Sequence, residues 1–151
     1  MPRIKVDLPD SFSFKTEIPI RITDINYGDH VGNDTLLSLI HESRVQFLAS
    51  HGYEELKIAS LGLIISDVGI EYKAELFYGD KITVSVAAGE FSKVGFDLFY
   101  KIEKKENDKM ILVAAAKTGM IFYDYEKKKI AWVPREVREK LSGQGFQPLE
   151  G

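Results

Sequence analysis

Residues 33–52 read Asn33-Asp34-Thr35-Leu36-Leu37-Ser38-Leu39-Ile40-His41-Glu42-Ser43-Arg44-Val45-Gln46-Phe47-Leu48-Ala49-Ser50-His51-Gly52. Leu36, Leu37, Leu39, Ile40, Val45, Phe47 and Leu48 recur at helical spacing. Asn33 or Asp34 can act as N-cap, and Gly52, after His51, suits the residue that closes a helix in the left-handed region. The apolar residues cover much more than a narrow stripe. The pattern therefore predicts a long helix, largely enclosed by the rest of the chain.

The segment before it, residues 14–22, alternates. Phe14, Thr16, Ile18, Ile20 and Ile22 share one face, Lys15, Glu17 and Arg21 the other, which predicts a half-buried strand. Pro19 places it at an edge or a strand start. Residues 23–32 form a polar loop containing glycine. After the helix, residues 53–58 add a short turn and nearly everything that follows is strand-like. Residues 62–76 form one long run, and Tyr78-Gly79-Asp80 is a hairpin signal. Strands follow at 82–86, 94–102 (Phe96, Leu98 and Tyr100 on one face), 110–123 and 130–133, separated by turns at 90–93, 104–108 and 126–129. Pro134 opens a short helix with Val137 and Leu141 on one face, and 143–151 read as a loose tail. Strand, long helix, then four or five strands with no helix between them excludes parallel crossovers. The fold class is α+β: an antiparallel sheet wrapped around one long central helix. Apolar residues on both faces of 62–76 and 110–123 predict that a partner covers part of the sheet.

The chain has 151 residues, which predicts one domain over 1–151 with its core at about 14–141. Hydrophobic residues make up 44% and charged residues 28%, a globular composition. The net charge of −3 argues against a general nucleic-acid binder, whose affinity would rest on excess Lys and Arg. With no cysteine, thiol nucleophiles, disulfides, iron–sulfur clusters and thiolate zinc sites are excluded together. Three histidines leave carboxylates, amides, hydroxyls and backbone to carry most of any catalysis. The N-terminal residues lack an apolar core, and no segment is apolar for long enough to span a bilayer, so the expectation is a cytoplasmic protein with no membrane partner. His41-Glu42-Ser43-Arg44-Val45 starts like a zinc-protease helix but has Val45 at the second ligand position. Asn33-Asp34-Thr35 matches a glycosylation sequon at a helix start, and Lys127-Lys128-Lys129 reads as a solvated turn. No phosphate-binding or dinucleotide-binding glycine pattern is present, and no metal is expected.

The stretch Thr23-Asp24-Ile25-Asn26-Tyr27-Gly28-Asp29-His30-Val31-Gly32-Asn33, joined to that element order, resembles the hotdog-fold thioesterases, closest to their 4-hydroxybenzoyl-CoA thioesterase-like, acyl-CoA thioesterase branch. Family members carry D-x-D-x-x-G-H-V-N-N, then a helix with E-x-A-R. Asp24, His30, Val31 and Asn33 match the loop, and Glu42-Ser43-Arg44 looks like the helix signature. Glu71-Tyr72-Lys73 through Tyr78-Gly79-Asp80 resembles the family's second strand and its Y-G-D turn, and Val133-Pro134 its usual ending. The resemblance runs from about residue 14 to 141. Three departures stand out. Asn26 occupies the place of the family's usual catalytic carboxylate, and an amide is neither a carboxylate nucleophile nor a general base. Asp29 is inserted between the glycine and the histidine, and Gly32 replaces the first Asn.

The resemblance implies a thioester lying across the start of the long helix, coenzyme A as part of the substrate and no separate cofactor. It also implies a homodimer or dimer of dimers, with the loop 24–33 of one chain facing the long strands of the other. Thioester hydrolysis needs a polarised carbonyl, an activated water or nucleophile, and a hold on the acyl chain. Backbone N–H groups at residues 32–35 suit the first. Asp24, Asn26, Asp29, His30 and Glu42 are the catalytic candidates, with Asp29 and His30 slightly ahead because they sit nearest the loop tip. Gly32, Asn33 and Asp67 are the substrate-binding candidates, and Lys15, Lys73 and Lys93 are available for CoA phosphates. Structural roles compete with these. Asp24 can close an Asx turn, and Asn26 and Gly28 can be positive-φ turn residues. Glu42 or Arg44 can sit in a salt bridge. Asp67 faces either a dimer cleft or solvent at a bulge, and His41 and His51 receive no role. The leading expectation is an acyl-CoA thioesterase acting on an acyl-CoA or acyl-carrier thioester. The alternatives are a non-catalytic acyl-thioester-binding protein on the same scaffold and, third, an acyl-thioester hydratase or dehydratase using His30 with Glu42.

Overall fold

The structure is a computed structural model and describes residues 3–142. Strand β1 (Phe14–Pro19) leads through a 3₁₀ turn at Ile22–Asp24 into helix α1 (Asn33–Ser50). Then come β2 (Gly62–Tyr72), β3 (Lys81–Gly89), β4 (Gly95–Glu106), β5 (Lys109–Asp124), the short β6 (Lys129–Ile130) and α2 (Arg135–Leu141). All pairings are antiparallel, in the order β1-β3-β4-β5-β2, with β6 on β5. This is the expected α+β arrangement. No helix among the described residues is long and apolar enough to cross a membrane.

Alternation decides which face of the sheet meets α1. Phe96, Leu98, Tyr100 and Ile102 of β4 pair with Met120, Thr118, Ala116 and Ala114 of β5, and all eight are buried. Val84 and Val86 of β3 extend the row, and Leu36, Leu39, Ile40, Phe47 and Leu48 of α1 pack into it. One ionic chain crosses this core: Arg44 of α1 donates to Glu55 (3.2 Å) and to the Tyr100 hydroxyl (3.3 Å), which lies 2.8 Å from Thr118 Oγ1. Arg44 is thus the structural salt-bridge member of the Glu42–Arg44 pair.

Four expectations for the first half of the chain's elements need correction. First, β1 ends at Pro19 and Ile22 is exposed, because the Asp24 carboxylate accepts the Arg21 N–H at 2.8 Å and folds the chain into the 3₁₀ turn. Second, the N-cap of α1 is Gly32, with Asn33 already helical. Third, α1 is enclosed on one side only; Leu37 and Val45 are exposed on the other. Fourth, β2 stops at Tyr72, not Leu76, because Lys73 and Ala74 both donate to the Val113 carbonyl and the chain leaves the sheet. Gly52 ends the helix as expected, at φ +83°. The tail at 143–151 lies outside the described residues.

Candidate active site

The loop between β1 and α1 closes on itself. Ile25 bridges Val31, Asn26 N–H donates to the His30 carbonyl (3.1 Å), and Asp29 N–H to the Asn26 carbonyl (3.1 Å). The Asn26 side chain makes an Asx turn, its Oδ1 accepting Gly28 N–H at 2.8 Å. That fixes the amide's orientation and leaves Nδ2 as a donor on the other side. A Cβ placed on Gly32 would stand 3.2 Å from this Nδ2, so the amide N–H₂ lies at the start of α1. The positive φ in the loop is carried by Asp29 (+66°), not by Asn26 or Gly28 as expected.

His30 Nδ1 lies 3.0 Å from the Gly28 carbonyl. A carbonyl oxygen only accepts, so Nδ1 is the nitrogen that donates and Nε2 is the one left to face the other way as an acceptor. The helix start completes the donor set. The first intrahelical bond is Leu36 N–H to the Gly32 carbonyl (3.0 Å), and no side chain caps the end. The N–H groups of Asn33, Asp34 and Thr35 therefore have no acceptor among the described residues. Together they form a patch of partial positive charge at the end of an 18-residue helix.

Through Gly32 and Asn33 the helix start opens onto a cavity of about 480 Å³. Asn26, His30, Gly32 and Asn33 line its polar side; Val31, Leu36, Leu76 and Val113 line its apolar side. Tyr72, Lys73, Ala74 and Glu75, where the chain leaves β2, complete the wall. This wall is tied to the loop by Val31 N–H donating to the Leu76 carbonyl (2.9 Å). A donor-lined, partly apolar cavity at an uncapped helix start suits a carbonyl that gains negative charge while an apolar substituent is held beside it.

Residues 20–141 match the model of the thioesterase-like superfamily. The chain belongs to that family. A protein of Aquifex aeolicus (strain VF5) named "Putative esterase" is 31% identical over 132 residues, which cover 86% of this chain and 97% of that one. The crystal structure of a 1,4-dihydroxy-2-naphthoyl-CoA thioesterase from Synechocystis superposes with a TM-score of 0.74 at 21% identity, covering 85% of this chain and 94% of that one. An aspartate-to-asparagine mutant of 4-hydroxybenzoyl CoA thioesterase, complexed with 4-hydroxybenzoyl CoA, gives a TM-score of 0.78 at 16% identity over 87% of this chain and all of that one. The fold is the hotdog fold of these thioesterases.

Of the candidates in this hotdog chain, Asn26, His30, Gly32 and Asn33 come together at the cavity, and Lys73 joins them while pairing with Glu71 at 3.2 Å. The others lie elsewhere. Asp24 is buried beneath the loop. Burial alone would raise its carboxyl, but the Arg21 N–H and guanidinium hold it below the ordinary carboxylate value. Asp29 is exposed at the loop tip and does not line the cavity. Glu42 stands on the exposed side of α1, accepting from Gln46 at 2.7 Å, so it forms no pair with His30 at the cavity. Asp67 follows a bulge in β2 on the sheet face away from α1, where Lys117 (2.6 Å) and Ser66 depress its pKa. Lys15 is exposed on β1, and Lys93 lies over the Trp132 ring at 5.7 Å. His41 Nε2 pairs with Glu55 at 2.7 Å, and His51 packs edge-on against Phe47, its pKa lowered by burial and by Lys140.

Sequence reasoning missed Tyr72 and Glu75 as cavity-lining residues. The signal was present in Glu71-Tyr72-Lys73-Ala74-Glu75-Leu76, where a carboxylate falls between a strand end and a buried leucine. Among the described residues no group of three or more His, Asp or Glu is placed to share a metal ion.

Proposed function

We propose that this chain is an acyl-CoA thioesterase-like hydrolase that cleaves an acyl thioester at the start of α1. The observation that carries the reading is the uncapped helix N-terminus opening onto the cavity, with the Asn26 Nδ2 donor beside it. A thioester carbonyl directed at Asn33–Thr35 has its developing oxyanion met by fixed N–H dipoles. Gly32, having no side chain, lets Asn26 Nδ2 and Asp34 Oδ1 close in to 3.2 and 3.0 Å of where a Cβ would stand. Asn26 adds a neutral donor to that set. His30 Nε2 accepts one O–H of the attacking water and orients it. Leu36, Leu76 and Val113 hold the apolar acyl group. Asp24 serves indirectly, by fixing the 3₁₀ turn that launches the loop. The substrate is an acyl-CoA or acyl-carrier thioester, met in the cytoplasm by a homodimer or dimer of dimers in which the β2 edge of a second copy completes the wall.

A panel of short, long and aromatic acyl-CoA substrates, followed with a free-thiol reagent, tests the reading. Turnover above background on at least one class is the expected result, and none on any class refutes it. Asn26 favours a second reading, a binding protein without hydrolysis. Tight binding of a non-hydrolysable acyl-CoA thioether together with a silent wild type would select it.

A further inference from the structure

At position 26 the site has an amide where water activation calls for a carboxylate. One carboxylate lines the cavity from another part of the fold, and it is Glu75. It is the sole acid among the lining residues. Its carboxylate makes no ion pair or hydrogen bond with the described residues. Glu71, four residues earlier, is by contrast committed to Val6 N–H (2.6 Å) and Lys73 (3.2 Å).

The backbone that carries Glu75 is held from both sides. Ala74 N–H donates to the Val113 carbonyl at 3.1 Å, and Leu76 accepts Val31 N–H from the loop that bears Asn26 and His30. The Glu75 carbonyl itself accepts from Lys104 Nζ at 2.8 Å. Lys104 is only 4% exposed and continues the inward-facing row of β4. Its ammonium also holds Asp80 at 3.1 Å, the far end of the same turn. A buried ammonium costs desolvation free energy, and here it is spent on fixing the 75–80 turn against the sheet. The result is a rigid backbone with an uncommitted carboxylate on the cavity wall.

We propose that Glu75 is the general base of the hydrolysis, supplying the carboxylate that the loop lacks; the inference rests on the thioesterase reading above. As the water oxygen bonds to the thioester carbon, one water proton passes to a Glu75 carboxylate oxygen. The carbonyl electron pair moves onto oxygen, under the N–H groups of Asn33–Thr35. Collapse of the tetrahedral adduct re-forms the C=O bond and breaks the C–S bond, and the proton on Glu75 goes to the departing sulfur. The acid product ionises to solvent, the thiol leaves, and Glu75 is a carboxylate again.

The test compares wild type with Glu75→Gln and Glu71→Gln, each checked for an unchanged melting temperature and for binding of an acyl-CoA thioether. Removing a general base lowers kcat by about 10²–10⁴-fold. Glu75→Gln is expected to show that loss with KM and thioether affinity little changed, while Glu71→Gln keeps its rate. An active wild type with Glu75→Gln within about threefold of its kcat, far short of a lost base, overturns this inference and leaves the thioesterase reading standing. A wild type silent on every substrate overturns both.

Discussion

Asn26 commits its Oδ1 to Gly28 N–H and keeps Nδ2 beside Gly32. An aspartate at the same place would preserve the Asx turn, since a carboxylate oxygen also accepts that N–H. It would replace the donor with a negative charge at the point where the oxyanion develops. Asn26→Asp should therefore lower kcat by about 10- to 10²-fold, toward the loss seen when one oxyanion donor is removed, with little change in melting temperature. Activity gained by Asn26→Asp where the wild type has none would instead mark the wild type as a binder. Asp24 gives a prediction of another kind. Its pKa lies below the usual 3.8, so its contribution to stability is complete above about pH 4 and is lost as pH falls through the depressed value. Asp24→Asn should be less stable than wild type at neutral pH, and urea melts should show the gap closing below about pH 3.8. A constant gap across pH would assign the loss to shape and not to charge. The residues legible from sequence at this scale, Asn26, His30, Gly32 and Asn33, are those that sit together in one short loop. Glu75, Tyr72 and Val113 reach the same cavity from segments about 40–80 residues further on, and no local pattern records that meeting.

At the scale of elements, periodicity located every strand and both helices but misjudged where several end. Ends are set by particular hydrogen bonds: Arg21 N–H to Asp24 after β1, Lys73 and Ala74 N–H to Val113 after β2. None of these alters the hydrophobic pattern that sequence reading relies on. Lys104 shows the same blindness in reverse. It reads as part of a polar turn, yet it lies within β4, opposite Ile82 and Ile111, with its ammonium turned onto the 75–80 turn. Lys104→Met keeps the aliphatic volume and removes the donor, leaving the Glu75 carbonyl and the half-buried Asp80 without it. The unfolding free energy should fall by about 1–3 kcal/mol, the cost of leaving buried acceptors unmet. Urea melts with an unchanged m-value would register the loss, and a stability equal to wild type would show that the clamp is dispensable.

For the whole molecule, the sequence announced more apolar surface than one chain encloses, and the structure divides that excess in two. Part of it is met by the chain itself. The segment before β1 crosses the sheet face opposite α1, with Ile4 and Val6 over Gly69, Val6 tied to Glu71, and Phe12 against Lys101. The rest stays open along β2, the last strand of the sheet, where Ile65, Val68 and Tyr72 are 45%, 43% and 51% exposed. Leu63 N–H is met by the Glu55 carbonyl (2.7 Å), but beyond it the outer edge of this 11-residue strand has no strand partner among the described residues, and an open edge with apolar side chains is what monomeric proteins avoid. A second copy is the occupant its own symmetry suits, since two equal edges can pair across a two-fold axis. Tyr72 both ends this strand and lines the cavity, so a copy paired along the edge would meet the cavity wall. Wild type should therefore elute as a dimer or larger in light-scattering chromatography. Ile65→Lys with Val68→Lys should shift it to monomer while leaving the far-UV spectrum intact, because neither side chain is buried in the protomer. If the site needs the second copy, kcat/KM of that variant should fall with protein concentration along the same curve as the dimer fraction. A monomeric wild type, or a monomeric variant with full activity at every concentration, would place the complete site within one chain.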